Sequence, residues 1–150
     1  SARSMNEIPI PETRTERRLI SVVVPVFNEE NNIDTAYATI SRVFEKLGNR
    51  CDLELIFTDN HSTDSSFDLL QALAARDPRV KVLRFTRNFG FQCSILTGFR
   101  HAQGDAAVQI DCDMQDPAEK IPDFICSSVN SVSSNTLVRP ITPFIGVLIS

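Results

Sequence analysis

The sequence is poor in the residues that build several common kinds of site. It contains no tryptophan, only five glycines and only two histidines in 150 residues. The glycines, at 48, 90, 98, 104 and 146, form neither G-x-G-x-x-G nor G-x-x-x-x-G-K-[ST], so a glycine-rich cradle for a dinucleotide or a nucleoside triphosphate is excluded. His61 and His101 are far apart in the chain, and the four cysteines include no C-x-x-C pair, which leaves no histidine-based or zinc-type metal site.

An excess of positive charge and a long apolar run are also missing. The net charge is −4 and nucleic-acid binding requires a basic surface, so we expect no nucleic-acid partner. The arginines at 14, 17 and 18 are explained at least as well by a solvated tail. The apolar run at 144–149 is far shorter than the roughly 20 residues of a membrane helix, and the first 18 residues lack the apolar core of a signal peptide. We expect a cytoplasmic protein with reduced thiols and no membrane span in the chain as given.

The dominant pattern is an alternation of strand-like and helix-like segments. Apolar runs predict strands at 19–26, 53–57, 80–85 and 106–110, and apolar residues at three- and four-residue intervals predict helices at 33–47, 63–75 and 91–101. Asp116 and Pro117 are typical of a further helix start. This order predicts an α/β domain of three layers with a mainly parallel sheet over residues 19–126. Residues 1–18 are expected to be a flexible segment, and residues 127–150, which begin with a serine- and asparagine-rich linker, are left unassigned.

The predicted strand ends carry the polar residues. In an open α/β sheet, ligands bind outside the carboxyl ends of the strands. Asp111 and Asp113 follow the fourth strand, and two carboxylates 4 Å apart would repel by about 4 kcal/mol at an effective dielectric near 20. A divalent cation removes that repulsion, and Mg²⁺ or Mn²⁺ prefers such oxygen ligands. The alternative is that both are turn residues that cap the helix at Pro117.

The segments at the ends of the four predicted strands are residues 22–30, 58–64, 87–90 and 111–117. Together they resemble the N-terminal portion of family 2 inverting glycosyltransferases of the GT-A fold, a Rossmann-like architecture. Gln115-Asp116-Pro117 and the Arg-Asn-x-Gly at 87–90 are similar to the branch that acts on polyprenyl phosphates, which includes dolichol-phosphate mannose synthases and undecaprenyl-phosphate glycosyltransferases. The resemblance covers roughly residues 19–125. It implies transfer of a sugar from a UDP- or GDP-linked donor to a lipid phosphate, with inversion, at the inner face of a membrane in the full-length protein.

The resemblance also implies a role for each matching residue. Asp111 would face the ribose or the metal, and Asp113 would bind the Mg²⁺ or Mn²⁺ that bridges the diphosphate. Gln115 and Asp116 would lie near the acceptor phosphate, which completes the expected catalytic set. The expected donor-binding residues, for the base, the ribose and a phosphate, are Pro25, Phe27, Asn28, Glu29, Asp59 and Arg87.

The sequence departs from the family pattern in two places. The second strand end usually reads Asp-Asp-Gly-Ser, and here Asn60 and His61 take the middle positions. After residue 126 no acceptor-binding element is recognisable, so we expect this chain to bind a donor without efficient sugar transfer. A truncated, non-catalytic nucleotide-binding domain and a nucleotidyltransferase-like enzyme stay open as alternatives, although the latter usually has a glycine-rich loop near its first strand.

Overall fold

The computed structural model describes residues 18–114, 139–142 and 145–149. Over residues 18–109 strands and helices alternate as the sequence predicts. The strands form one sheet in the order β3-β2-β1-β4-β6-β5, and β1 to β4 are parallel. The elements, in chain order, are β1 (Arg18–Val26), α1 (Ile33–Leu47), a 3-10 turn (Gly48–Arg50), β2 (Cys51–Asp59), α2 (Ser66–Arg76), β3 (Val80–Arg84), α3 (Phe91–His101), β4 (Ala106–Gln109), β5 (Arg139–Thr142) and β6 (Ile145–Ile149).

The central strand β1 is covered by helices on both faces. Alternate residues of β1, at 20, 22, 24 and 26, pack in one core with the apolar sides of α1 and α2. Val23 points to the other face, where Gly98 of α3 lies against it. Because successive side chains of a strand alternate between faces, α3 lies opposite α1 and α2. The predicted three-layer α/β architecture is confirmed.

The C-terminal segment that the sequence left unassigned extends this sheet. β6 pairs antiparallel with β4, and β5 pairs antiparallel with β6. The last residues are too few for a further βα unit, but an antiparallel pair needs no helical crossover and therefore fits in this length. The helix expected from Asp116 and the linker at 127–136 lie outside the described residues. In the part that is described, no helix has the length and apolarity that a membrane span requires.

Candidate functional site

A cleft opens where β1 and β4 separate. β1 pairs with β2 as far as Val26, but its pairing with β4 ends at Val23, which is opposite Gln109. β2 and β3 lie to one side of β1 and β4 lies to the other, so this gap is the switch point at which α/β sheets bind their ligands. The cleft has a volume of about 550 Å³. Its walls are formed by Pro25, Val26, Phe27, Glu29, Asn60, Asn88, Gly90, Phe91, Ser94, Asp111, Cys112 and Asp113.

One wall comes from the end of β1. Pro25 lies beyond the residues that pair with β4, where the absence of an N–H removes no bond to that strand. Phe27 is 45% exposed although it is large and apolar, and it belongs to the cleft. Glu29 is half-buried, and its Oε2 accepts a hydrogen bond of 2.6 Å from Asn32 Nδ2. This wall combines an apolar surface with one carboxylate, and the binding of a nucleotide by Pro25, Phe27 and Glu29 stays a prediction.

Asn28, which was expected to line the same pocket, has a different position. Its backbone is left-handed, with φ of 53°, and its Oδ1 accepts hydrogen bonds from the N–H groups of Thr63 (2.8 Å) and Asp64 (3.3 Å). Its own N–H donates to Ser62 Oγ at 2.9 Å. We call these contacts of Asn28 with residues 62–64 the loop clasp. The clasp ties the loop after β1 to the loop after β2. It holds residues 63 and 64 outside α2, which is why that helix begins at Ser66 and not at 63.

Asp59 is buried behind the cleft wall. It is fully buried, and its Oδ1 accepts hydrogen bonds from the N–H (3.2 Å) and the hydroxyl (2.5 Å) of Ser62. Arg84 Nε lies 3.5 Å from its Oδ2. Its neighbour Asn60 is the residue at the wall. In this structure Asp59 therefore supports the loop clasp through Ser62, and its contact with a nucleotide base stays a prediction.

Arg87 is not among the residues that line the cleft, and its expected contact with a phosphate stays a prediction. Its guanidinium carbon lies 4.5 Å from the centre of the Phe89 ring, a cation–π arrangement on the exposed part of the loop. The loop between β3 and α3 instead presents Asn88 and Gly90 to the cleft.

Asn60 and Asn88, which were not predicted as site residues, hold the loop between β3 and α3. Asn60 Nδ2 donates to Asn88 Oδ1 at 2.7 Å, and Asn60 Oδ1 accepts from the N–H of Phe89 at 2.8 Å. Asn88 Oδ1 also accepts from the N–H of Gly90 at 2.9 Å, and Gly90 has φ of 93° and ψ of 161°, which favours glycine. Asn60 stands where the family pattern has aspartate. Its amide both donates and accepts hydrogen bonds, which an ionised carboxylate cannot do. The presence of asparagine in place of aspartate at position 60 was therefore the feature of the sequence that could have indicated these contacts.

The opposite wall comes from the residues after β4. Asp111 is half-buried, and its Oδ1 accepts a hydrogen bond of 2.7 Å from Gln109 Nε2. Asp113 is exposed. Burial raises the pKa of Cys112, between them, to about 12, and the charges of Glu29, Asp113 and Asp111 add to the increase. Cys112 is therefore a neutral thiol at physiological pH, and the three carboxylates make this end of the cleft negative.

The comparison with known proteins identifies the family. Residues 21–127 match the model described as Glycosyl transferase family 2. The chain belongs to glycosyl transferase family 2. A prophage bactoprenol glucosyl transferase homolog of Escherichia coli (strain K12) is 47% identical over 106 residues, which are 71% of this chain and 34% of that protein. An undecaprenyl-phosphate 4-deoxy-4-formamido-L-arabinose transferase of Shewanella sediminis (strain HAW-EB3) is 32% identical over 121 residues, 80% of this chain and 36% of that protein. The chain spans about a third of the length of these relatives.

A solved structure shows that the fold is that of the GT-A glycosyltransferases. The mannosyltransferase of Pyrobaculum calidifontis, in complex with GDP-Man and Mn²⁺, superposes with a TM-score of 0.63 at 24% identity. The superposition covers 81% of this chain and 34% of that protein. The GT-A architecture that the four motifs implied is therefore confirmed.

The wall after β4, with the side chains of Asp111 and Asp113, is called the acidic wall. No group of three His, Cys, Asp or Glu side chains suited to a metal occurs among residues 18–114. Mg²⁺ commonly takes one or two carboxylates and completes its shell with water and phosphate oxygens, so a pair of carboxylates on an open cleft, as at Asp111 and Asp113, is compatible with this kind of site. Gln115 and Asp116, expected beside the acceptor phosphate, lie outside the described residues.

Proposed function

We propose that this chain is the donor-binding part of a glycosyltransferase that moves a sugar from a nucleotide-diphospho-sugar to a polyprenyl phosphate with inversion. The observation that carries the proposal is the cleft at the β1–β4 switch point, with an apolar wall at Pro25 and Phe27 facing paired carboxylates at Asp111 and Asp113. Its volume of about 550 Å³ lies within the range of roughly 300–1,000 Å³ that is usual for small-molecule sites. The relatives named for bactoprenol and undecaprenyl phosphate support the lipid acceptor.

Each wall suits one part of a nucleotide-diphospho-sugar. The exposed ring of Phe27 offers an aromatic face to a nucleobase, and Glu29 offers a carboxylate to ribose hydroxyls. Asp111 and Asp113 would hold Mg²⁺ or Mn²⁺ against the diphosphate. When bound, the cation would supply Lewis-acid stabilisation of the charge on the leaving diphosphate. We assign this donor-binding unit to residues 19–126, which the family match at 21–127 supports.

Transfer of the sugar to a phosphate acceptor does not require a strong catalytic base. Inversion is a single displacement at the anomeric carbon, and a phosphate acceptor is already anionic at neutral pH, whereas a hydroxyl acceptor would need a base. Asp111 and Asp113 therefore serve to hold the cation, and Gln115 and Asp116 are proposed to position the acceptor phosphate. A lipid acceptor requires that the full-length protein act at a membrane surface, and we propose the cytoplasmic face.

Calorimetric titration tests the donor site directly. UDP and GDP, each with and without Mn²⁺, are titrated into the 150-residue chain, with ATP as the comparison nucleotide. We expect one of the two diphosphates to bind in a manner that Mn²⁺ strengthens, because the cation links its phosphates to the acidic wall. Binding of ATP alone would favour a nucleotidyltransferase-like enzyme, and binding of none of the three would overturn the proposal.

A further inference from the structure

Among residues 18–114, the walls of the cleft carry carboxylates and no basic side chain. Glu29, Asp111 and Asp113 line it, and no lysine or arginine of the described chain does. Arg87, the expected phosphate ligand, stacks on Phe89 instead. A phosphate group in this cleft is stabilised by hydrogen-bond donors or positive charge on the walls that it touches. A cation at the two aspartates would supply positive charge from one wall, so the donors on the other wall are of interest.

The N-terminus of α3 is such an element. Gly90 and Phe91, at the start of this 11-residue helix, line the cleft, and no side chain caps the helix. The first four N–H groups of an α-helix have no partner within it. Here the Gly90 N–H donates to Asn88, so those of Phe91, Gln92 and Cys93 are left. Aligned peptide dipoles give a helix N-terminus about half a positive charge, which favours phosphate.

Ser94 supplies an independent observation at the same place. It is 1% exposed and lines the cleft, and its Oγ has no hydrogen-bond partner within the described part of the chain. A serine inside a helix usually donates to the carbonyl four residues earlier, but here only the Ser94 backbone N–H reaches Gly90 O, at 3.2 Å. Rotation about χ1 redirects a serine hydroxyl among its staggered positions.

Close packing explains the small size of Ser94 but not its hydroxyl. Gly90, Ser94 and Gly98 recur every four residues, and a Cβ at Gly98 would lie 2.3 Å from Val23 Cγ1, so this side of α3 approaches the sheet closely. Alanine would meet the same size limit. A buried hydroxyl without a partner is destabilising, so its presence beside an uncapped helix N-terminus indicates a ligand that accepts its hydrogen bond.

We propose that the N-terminus of α3 and the hydroxyl of Ser94 form a phosphate subsite on the wall that faces Asp111 and Asp113. The free N–H groups of the first turn and the Ser94 hydroxyl donate to phosphate oxygens. The occupant is either the diphosphate of the donor or the phosphate of the lipid acceptor. This inference rests on the proposed function, since it assigns a subsite within the same cleft.

Substitution of Ser94 has a matched control on α1. Ser41 Oγ is also buried without a partner, yet Ser41 is not part of the cleft wall. Ser94→Ala and Ser41→Ala thus remove the same group from inside and outside the proposed subsite. The probes are UDP and GDP with Mn²⁺, uridine and guanosine, and farnesyl phosphate as a soluble lipid phosphate. We expect Ser94→Ala to raise the Kd of a phosphate-bearing probe roughly tenfold and Ser41→Ala to leave it unchanged.

The probes separate the two sources of phosphate. If Ser94→Ala weakens the binding of UDP or GDP alone, the subsite belongs to the donor diphosphate. If it weakens the binding of farnesyl phosphate alone, the subsite belongs to the acceptor. Weakening of uridine or guanosine to the same extent, or equal affinities of the two variants for every phosphate probe, overturns the inference. Failure of the wild type to bind UDP and GDP contradicts the proposed function. The subsite is then judged by farnesyl phosphate alone, and absence of that binding overturns it as well.

A second pair of variants tests the backbone groups. Phe91→Pro and Phe91→Ala both lose the ring, but only the proline variant loses the N–H at the first helical position, where proline is well tolerated. Circular dichroism checks that α3 persists. We expect the proline variant to bind the affected phosphate several-fold more weakly than the alanine variant. Equal affinities would remove the helix N-terminus from the subsite.

Discussion

The side chains of Asp111 and Asp113 differ in burial and in hydrogen bonding. Asp111 is half-buried and accepts a hydrogen bond from Gln109, whereas Asp113 is exposed at the rim of the acidic wall. An exposed carboxylate can turn toward a cation without the loss of a buried contact. In the proposed donor site, we therefore expect Asp113 to join the cation to a mobile ligand and Asp111 to fix the cation's place.

Replacement of Asp113 should separate cation binding from nucleotide binding. In wild type, Mn²⁺ should tighten the binding of UDP or GDP, and Asp113→Ala should abolish that gain while it leaves the metal-free affinity nearly unchanged. The measurement is calorimetric titration with and without Mn²⁺. Asp68→Ala, which removes an exposed carboxylate from α2 away from the cleft, is the control. An equal Mn²⁺ effect in Asp113→Ala and wild type would exclude Asp113 from the site.

Another aspartate, Asp77, is not among the residues that line the cleft, and its contacts contribute to the stability of the fold. It accepts hydrogen bonds from Arg79 Nη2 (2.8 Å) and Tyr37 Oη (2.6 Å), and it is buried. The hydrogen bonds from Arg79 lower the pKa of Asp77 well below its usual range, and Tyr37 adds to this although burial opposes it. The ionised form is therefore favoured by folding, and its contribution is present at pH above the unfolded pKa and lost as the pH falls toward the folded value.

Asp77→Asn should reveal this contribution. At pH 7 we expect the variant to lose about 1–2 kcal/mol of unfolding free energy, a modest value because Arg79 is partly exposed to solvent. Below a pH of about 4, where the carboxyl of the unfolded chain becomes protonated, the difference from wild type should shrink. Urea unfolding at a series of pH values measures both. A difference that stays constant down to pH 3 would contradict the ionic origin of the effect.

At the residue scale, the sequence predicts where side chains enter the cleft better than which contacts they make. Pro25, Phe27 and Glu29 line the cleft because they lie at or just after the end of a strand whose position is fixed by the βα pattern. The place of Asn28 depends on its left-handed backbone and on the long-range contact with Thr63, and neither is encoded in local periodicity. Arg87 likewise stacks on an aromatic ring two residues away, a choice of side-chain conformation that no spacing specifies.

Among the elements, the loop clasp links the ends of β1 and β2. Asn28 Oδ1 accepts from two N–H groups of the second loop, so a single side chain holds the mouth of the cleft and the start of α2 together. Asn28→Gly keeps the left-handed backbone, which glycine tolerates, and removes only the acceptor. We expect a loss of about 1–2 kcal/mol in stability, as for other hydrogen bonds of this kind, with weaker nucleotide binding.

The control for the clasp is Asn28→Asp, which retains an oxygen acceptor at the same position and tolerates a left-handed backbone. It should keep more of the stability than Asn28→Gly. Thermal unfolding of both variants, followed by nucleotide titration, makes the comparison. Equal losses in the two variants would show that the acceptor atom does not account for the effect.

The close approach of α3 to the sheet rests on Gly98. A Cβ at this position would lie 2.3 Å from Val23 Cγ1 and 3.3 Å from Thr58 Cγ2. Gly98→Ala should therefore displace α3, with a destabilisation of about 1–3 kcal/mol from overpacking, and should weaken nucleotide binding because α3 begins at the cleft. Val23→Ala removes the clashing methyl groups, so the double variant should recover part of the loss. Strictly additive effects in a double-mutant cycle would refute the contact.

The order and type of the elements follow from hydrophobic periodicity, but two features of the fold do not. α2 begins three residues later than its apolar pattern suggests, because Thr63 and Asp64 donate to Asn28 instead of starting a helical turn. β5 and β6 were not predicted, because both are short and because β6 joins the sheet by pairing with β4, which lies far from it in the chain. β5 is attached in turn through β6. Long-range pairing of this kind leaves no periodic trace in the sequence.

At the scale of the whole molecule, the cleft divides the sheet into two parts. On one side β1 is joined to β2 over nine residue pairs, and on the other side β4 is joined to β1 over only four. A ligand that contacts Phe27 on the β1 side and Asp113 on the β4 side would bridge the two parts. It would bind the folded chain and not the unfolded one, since the walls come from segments that are distant in sequence.

Binding at this cleft should therefore raise the stability of the chain as a whole. A ligand at a hundred times its Kd stabilises the folded state by about 2.7 kcal/mol. In a domain of this size each kcal/mol raises Tm by roughly 2–4 °C, so UDP or GDP with Mn²⁺ should raise Tm by about 5–10 °C. Scanning fluorimetry with an extrinsic dye at increasing nucleotide concentration measures the shift. Uridine and guanosine should give a smaller one, because they lack the phosphates that the cation binds, and EDTA should reduce the shift given by the diphosphate. An equal shift with nucleoside and diphosphate would mean that the acidic wall takes no part in binding, and this would count against the metal and the phosphate subsites together.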